Sequence, residues 1–259
     1  MSLPDAKLPP SAPASLDYSR TVNYVFENPN WLLNLVWLFL CQLVACIIPI
    51  VPQIIVMGYQ FEVVDGLLQN RDARYPDFDL NRIADYLMRG IWPFLAMIVV
   101  AIGWGVVFVL ITLICSGCIA GAAGLAGENV GPVIGTIGII VGIALGIVLM
   151  ALLLFIVTPV SIRAGLAHDF PAGFDLAWIK DFIAKTWVEV LTSTLVLILV
   201  ANAMIWCTCL VGSLAVIPLI PLVQAHFWYQ FYMIYLSRGG TPIPVKAVVV
   251  AVGGPPTPG

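Results

Sequence analysis

FDLNRIADYLMRGIWPF (residues 78–94) and FDLAWIKDFIAKTWVEV (residues 174–190) are two copies of one pattern. Phe78, Asp79, Leu80, Ile83, Asp85 and Tyr86 in the first match Phe174, Asp175, Leu176, Ile179, Asp181 and Phe182 in the second, and each copy runs through a tryptophan, Trp92 or Trp187, into a long apolar stretch. Leu80, Ile83, Leu87 and Ile91 fall at helical spacing, as do Leu176, Ile179, Ile183 and Trp187, which makes one apolar stripe per copy. Asp85 with Arg89, and Asp181 with Lys185, are acid-then-base pairs one turn apart, the favourable order on a helix. A helix of this kind placed just before a membrane segment is expected to lie in the interface. Its stripe (Ile83 and Leu87, Ile179 and Ile183) would face lipid, with Trp92 and Trp187 in the aromatic belt. The reading is therefore an all-α, polytopic helical membrane protein built from repeats of an interfacial amphipathic helix and a transmembrane hairpin.

Composition agrees. Hydrophobic residues make up 61% of the 259 and charged residues 10%, against about 25% charge in a soluble domain. Mean hydropathy is +1.03. Hydrophobic segments are expected at about 31–57, 92–118, 132–158, 187–206 and 213–236, each near or above the roughly 20 residues that cross a bilayer, with interfacial helices at about 79–91 and 175–186. Residues 1–16 carry Pro4, Pro9, Pro10 and Pro13 and read as a disordered tail, with no apolar core of a signal peptide. Residues 17–238 form a single membrane domain, and 239–259 a Pro/Gly-rich tail with one apolar run, Val245 to Val252. The net charge is −3 and no basic run occurs, so nothing points to nucleic acid.

Arg71, Arg74, Arg82 and Arg89 follow the first segment, Arg163, Lys180 and Lys185 the third, and Arg238 and Lys246 the fifth, whereas the connections after the second and fourth hold no Lys or Arg. The positive-inside rule then puts the charged connections and the C-terminus in the cytoplasm of a cell whose inner membrane holds the protein. Residues 31–57 either cross once or, broken at Pro49 and Pro52, form a hairpin; Asp17-Tyr18 through Trp31 looks like a degenerate third copy of the leading segment, which favours the hairpin.

A family resemblance rests on Phe26, Pro29 and Trp31, on Gly58-Tyr59, on Tyr75-Pro76-Asp77-Phe78 and on Ala172-Gly173-Phe174-Asp175. Over about residues 24–236 the chain resembles an uncharacterised prokaryotic integral-membrane family, domain of unknown function 4013 (DUF4013). The resemblance implies a membrane fold. It supplies no activity and no site residues.

Candidate chemistry is sparse. Cys41 and Cys46, Cys115 and Cys118, and Cys207 and Cys209 are three close pairs that an oxidising compartment could join; as small apolar residues they also suit helix packing. Gly131, Gly135, Gly138, Gly142 and Gly146 make overlapping G-x-x-x-G patterns, a face on which another helix can approach closely. Glu189 sits near the interface, Asn202 deep in a segment, and Gln42 and Gln53 in the first segment. His168 and His226 show no pairing that would hold a haem, and no nucleophile–base constellation, cofactor site or metal set is visible. The leading functional expectation is a non-catalytic scaffold or accessory subunit of a membrane assembly, bound to the bilayer and to another membrane protein or a second copy of itself. A small-solute permease, with Gln42, Gln53 and Asn202 on its path, and an extracytoplasmic thiol-redox protein are the alternatives.

Overall fold

The computed structural model describes residues 15–72, 74–207 and 213–244. These are overwhelmingly helical, with no strand among the described residues. The helices are α1 (Tyr18–Phe26), α2 (Trp31–Ala45), α3 (Ile50–Gln69), α4 (Ile83–Leu125), α5 (Gly127–Ala167), α6 (Leu176–Cys207) and α7 (Ser213–Ser237). Short 3-10 turns at Leu80–Arg82 and Pro171–Phe174 lead into α4 and α6.

Three of these helices, α4 to α6, are long and apolar enough to cross a membrane. In an apolar medium each backbone N–H and C=O must be satisfied within the segment, so helices are the natural solution.

Residues 31–57 form a hairpin: α2 ends at Ala45 and α3 begins at Ile50. The Cys46, Ile47 and Ile48 amides donate back to Leu43 and Val44 carbonyls, which closes the turn. α2 has 15 residues, about 22 Å of helix, too short to cross the roughly 30 Å hydrocarbon core. α3 outlasts the expected segment by a dozen residues. Gln60, Glu62 and Asp65 lower its hydropathy there without breaking the helix.

The separate leading helices at about 79–91 and 175–186 are not found. Each is the first part of a longer helix. Between Leu176 and Cys207 there is no Gly or Pro to end one, and in α4 the helix continues through Pro93. The loop expected between residues 118 and 132 is also helical almost throughout. α4 reaches Leu125, and Gly127, with φ 75°, makes the reversal. With 43 and 41 residues, α4 and α5 are each about 60 Å long. The start of the C-terminal tail is packed: Ile243 is buried, and its amide donates to the Tyr232 hydroxyl (2.8 Å). The N-terminal tail up to residue 14 and the run Val245 to Val252 lie outside the described residues.

The core is confined to one half of the molecule. It draws on residues 16–100, 155–190 and 219–243, the part next to the leading segments, here termed basal. Its tightest point is the crossing of α3 and α4. A Cβ on Gly58 would collide with the Tyr86 carbonyl, and one on Gly90 with the Ile54 carbonyl. Two glycines, one from each helix, thus bring the backbones into direct contact, the small-residue packing of membrane helices. The distal half differs. No residue of α4 beyond Val100 is buried, and among the described side chains of α5 before Leu149 only Gly138 is.

Three hairpins, α2–α3, α4–α5 and α6–α7, put the first and last described residues, 15 and 244, at the basal end. Topology reporters fused before residue 15 and after residue 244 are therefore expected to read the same side of the membrane; opposite readings would mean that residues 31–57 cross once.

Candidate functional site

The leading segments recur three times. Asp17 accepts from the Arg20 amide (2.8 Å), Asp79 from the Asn81 amide (2.9 Å) and Asp175 from the Trp178 amide (3.1 Å). Each aspartate satisfies one of the backbone donors that a helix start leaves unpaired. Seven positions on, each segment buries an aromatic ring: Tyr24, Tyr86 and Phe182 are at most 2% exposed. Tyr86 sits against Tyr59 and Phe78, and Phe182 against Trp178 and Tyr235. The repeated motif is thus an aspartate cap followed by an aromatic plug.

The aspartate-led segments also decide which stripe residues meet protein. Ile179 is buried, and Ile83, Leu87 and Ile183 pack against the core. The ends of the stripes are exposed, Leu80 at 47%, Leu176 at 67% and Trp187 at 53%, as are Met88 at 72% and Trp92 at 36%. The plugs draw the middle of each stripe into the bundle. The charges are also redistributed. Arg89 pairs with Asp65 of α3 (3.1 Å) instead of Asp85, and Asp85 lies 3.7 Å from Arg82. Arg82 makes a two-pronged pair with Glu62 (2.6 and 2.9 Å). Asp181 and Lys185 do pair along one helix, at 2.9 Å. Glu189 is buried and held by both guanidinium nitrogens of Arg238, which also reaches the Lys185 carbonyl.

Two polar latches fix α1 and the turn after it. Asp77 accepts from Asn28 (2.9 Å), Asn30 (2.7 Å) and Asn34 (3.0 Å). Asn34, then Asn30, holds its carboxyl below the ordinary value. The carboxylate is the form these amides bind, so the contribution is complete at neutral pH and lost only as acid protonates it. The second latch joins α1 to α7. Gln230 accepts from the Asp17 amide (2.8 Å) and donates to Thr21 (2.7 Å) and to the Asp17 carbonyl (3.1 Å), and Nδ1 of His226 lies 3.0 Å from both the Gln230 nitrogen and the Thr21 hydroxyl. Nε2 of the fully buried His226 has no partner among the described residues. His168 is remote in role: it ends α5 in the left-handed region.

The expected glycine face divides in two. Gly131 and Gly138 pack on Ala123 and Ile119 of α4, whereas Gly135, Gly142 and Gly146 have nothing within 4 Å. Cys41, Cys46, Cys115 and Cys118 are free thiols. Cys115 and Cys118 lie on one helix, one turn apart, and Cys46 bonds to the Gln42 carbonyl. Cys207 closes α6, and Cys209 lies outside the described residues. Among the described residues no group of three or more His, Cys, Asp or Glu is placed to hold a metal.

Between α2, α3, α4, α5 and α7 lies a cavity of about 300 Å³ whose wall includes Gln42, Gln53, Gln60, Gln224 and Ser161. Gln53 donates to Gln42 (2.9 Å), and Gln60 to the Pro221 carbonyl (2.9 Å) and to Gln224 (3.2 Å). Gln42 and Gln53, expected on a solute path, are therefore in one place. Asn202 is not with them; it bonds to the Ile198 carbonyl of its own helix (2.8 Å). The sequence reading missed Gln60, Gln224 and Ser161. The available signal was the seven-residue spacing of Gln53 and Gln60, which puts two amides on one face of an apolar helix.

Replacing Arg238 with Ala strands Glu189 without its cation. Thermal unfolding in detergent is expected to show a loss of about 1–3 kcal/mol, most of it recovered in Glu189→Gln/Arg238→Ala. An Arg238→Ala protein as stable as the parent would mean that the pair holds nothing.

The family model described as protein of unknown function (DUF4013) matches residues 41–220. No curated protein and no solved structure matches the chain.

Proposed function

Because the chain belongs to the DUF4013 family, whose function is unknown, its role is read from its own geometry, and we propose that it is a non-catalytic integral membrane protein serving as a scaffold or accessory subunit of a membrane assembly. The observation that carries this is the unpacked distal half. In the most apolar 18-residue windows of the three long helices only 11%, 6% and 11% is buried. The α4–α5 arm has, distally, only itself to lean on. Lipid would cover such a surface, but it gives no reason for Gly135, Gly142 and Gly146 to stand outward with open space beside them. A glycine inside a helix costs up to about 1 kcal/mol relative to alanine. A close-packed helix of another membrane protein returns that cost. The same reading places the protein in the cytoplasmic membrane, with its charged basal end and C-terminus in the cytoplasm, on the positive-inside rule.

The test is purification of the tagged protein in mild detergent, with mass spectrometry of what remains bound. A stoichiometric membrane partner is expected. Gly142→Leu is expected to lower its recovery about tenfold, equivalent to about 1.4 kcal/mol. A chain that stays alone even after cross-linking in native membranes contradicts the reading.

A small-solute permease is the second reading, favoured by the glutamine-walled cavity. On that reading Gln53→Leu reduces solute flux into proteoliposomes and Asn202→Leu does not.

A further inference from the structure

We propose that the cavity among α2, α3, α4, α5 and α7 is a binding site for a small neutral solute that both donates and accepts hydrogen bonds, of the carboxamide class. This does not rest on the assembly reading, since a subunit with a partner would keep the same cavity.

Polar side chains inside apolar helices are expensive unless something satisfies them. Elsewhere in the long helices several of them are satisfied locally. Thr112, Thr136 and Thr186 each bond to the carbonyl four residues back, Ser116 and Ser193 to the one three back, and Asn202 also folds onto its own helix. Ser161 does not. It is fully buried on the cavity wall, and its hydroxyl is the one buried Ser or Thr oxygen without a partner among the described residues.

The glutamines leave matching capacity. An amide side chain carries two donors and an oxygen with two acceptor sites. Gln60 directs its nitrogen at Pro221 and Gln224. The oxygen of Gln224 is engaged by that bond and the oxygen of Gln42 by Gln53, while the nitrogens of Gln224 and Gln42 have no partner among the described residues. The side-chain oxygens of Gln53 and Gln60, on the same wall, take no bond from any described residue. The wall thus offers donors (the Gln224 and Gln42 nitrogens), acceptors (the Gln53 and Gln60 oxygens) and a hydroxyl that can serve as either.

No Asp, Glu, Lys or Arg lines the cavity, so a charged solute would enter unpaired at a prohibitive cost. A volume of about 300 Å³ is at the small end of ligand sites. A primary carboxamide carries donors and an acceptor side by side, which matches such a wall.

The experiment is saturation-transfer NMR on the full chain in lipid nanodiscs, with acetamide as the probe and acetate as its charged isostere. Acetamide is expected to receive saturation from the protein and acetate is not. Ser161→Ala removes a hydroxyl that bonds to nothing in the protein, so it keeps the fold, and it is expected to weaken acetamide binding about fivefold, the contribution of one hydrogen bond. Gln224→Leu is expected to weaken it by at least as much. No acetamide signal above empty nanodiscs would overturn the proposal and leave a water-filled cavity. Equal signals from acetate, or a signal that survives both substitutions, would overturn it as well.

Discussion

The contact on which the rest of the basal half depends is that of α3 with α4 at Gly58 and Gly90. Each glycine occupies the place where any other residue would set a Cβ inside the opposite helix's carbonyl. Direct backbone contact brings Tyr86 beside Tyr59 and within the core. It also brings Arg89 to Asp65 and Arg82 to Glu62 along the same seam. Interdigitation of this kind is stiff, because a close-packed interior cannot give way by one methyl group without displacing neighbours. The amide-walled cavity lies next to this seam. Gln53 and Gln60 flank Gly58 on α3, and Phe94 and Met97 of α4 complete the wall.

A second device is used three times. Asp17, Asp79 and Asp175 cap the starts of the leading segments, and Tyr24, Tyr86 and Phe182 plug the core one level further in. The cap satisfies amides where the chain turns inward, and the plug buries a large ring, which is where aromatic side chains contribute most. Around the plugs the charges pair between elements: Arg20 with Asp72, Arg163 with Asp175, and Arg238 with Glu189. The basal half is thus closed by its own sequence. The distal half presents apolar side chains and open glycines on both α4 and α5, Gly103 and Gly117 as well as Gly135 and Gly142, to whatever surrounds it.

The helical membrane class was legible because twenty-residue apolar runs admit few other structures. The repeat was legible because Asp79 and Asp175 recur with an aromatic seven residues on, Tyr86 in one copy and Phe182 in the other. Its meaning was not: a stripe of Ile83 and Leu87 beside charged residues reads alike whether it faces lipid or a protein core, since both are apolar. Only the neighbours decide, and Tyr59, Trp178 and Tyr235 come from distant parts of the chain. Gly58 and Gly90 were hidden for the same reason, as each is a lone glycine whose partner is on another helix. The conspicuous glycine series of α5 is by contrast only partly packed, at Gly131 and Gly138. Gln60 and Ser161 went unnoticed because a single polar residue in an apolar helix usually bonds to its own backbone, as Asn202 does.

The most direct test of the α3–α4 contact is the unfolding stability, in one detergent, of Gly58→Ala and Gly90→Ala beside Gly135→Ala and Gly142→Ala. All four exchanges add the same methyl group. The contact requires the first two to lose about 1–3 kcal/mol through overpacking, and the last two, where a Cβ would meet nothing within 4 Å, to stay within about 0.5 kcal/mol of the parent or gain slightly. Equal effects at all four positions would contradict it, because the methyl at Gly58 and Gly90 would then be meeting no backbone at all.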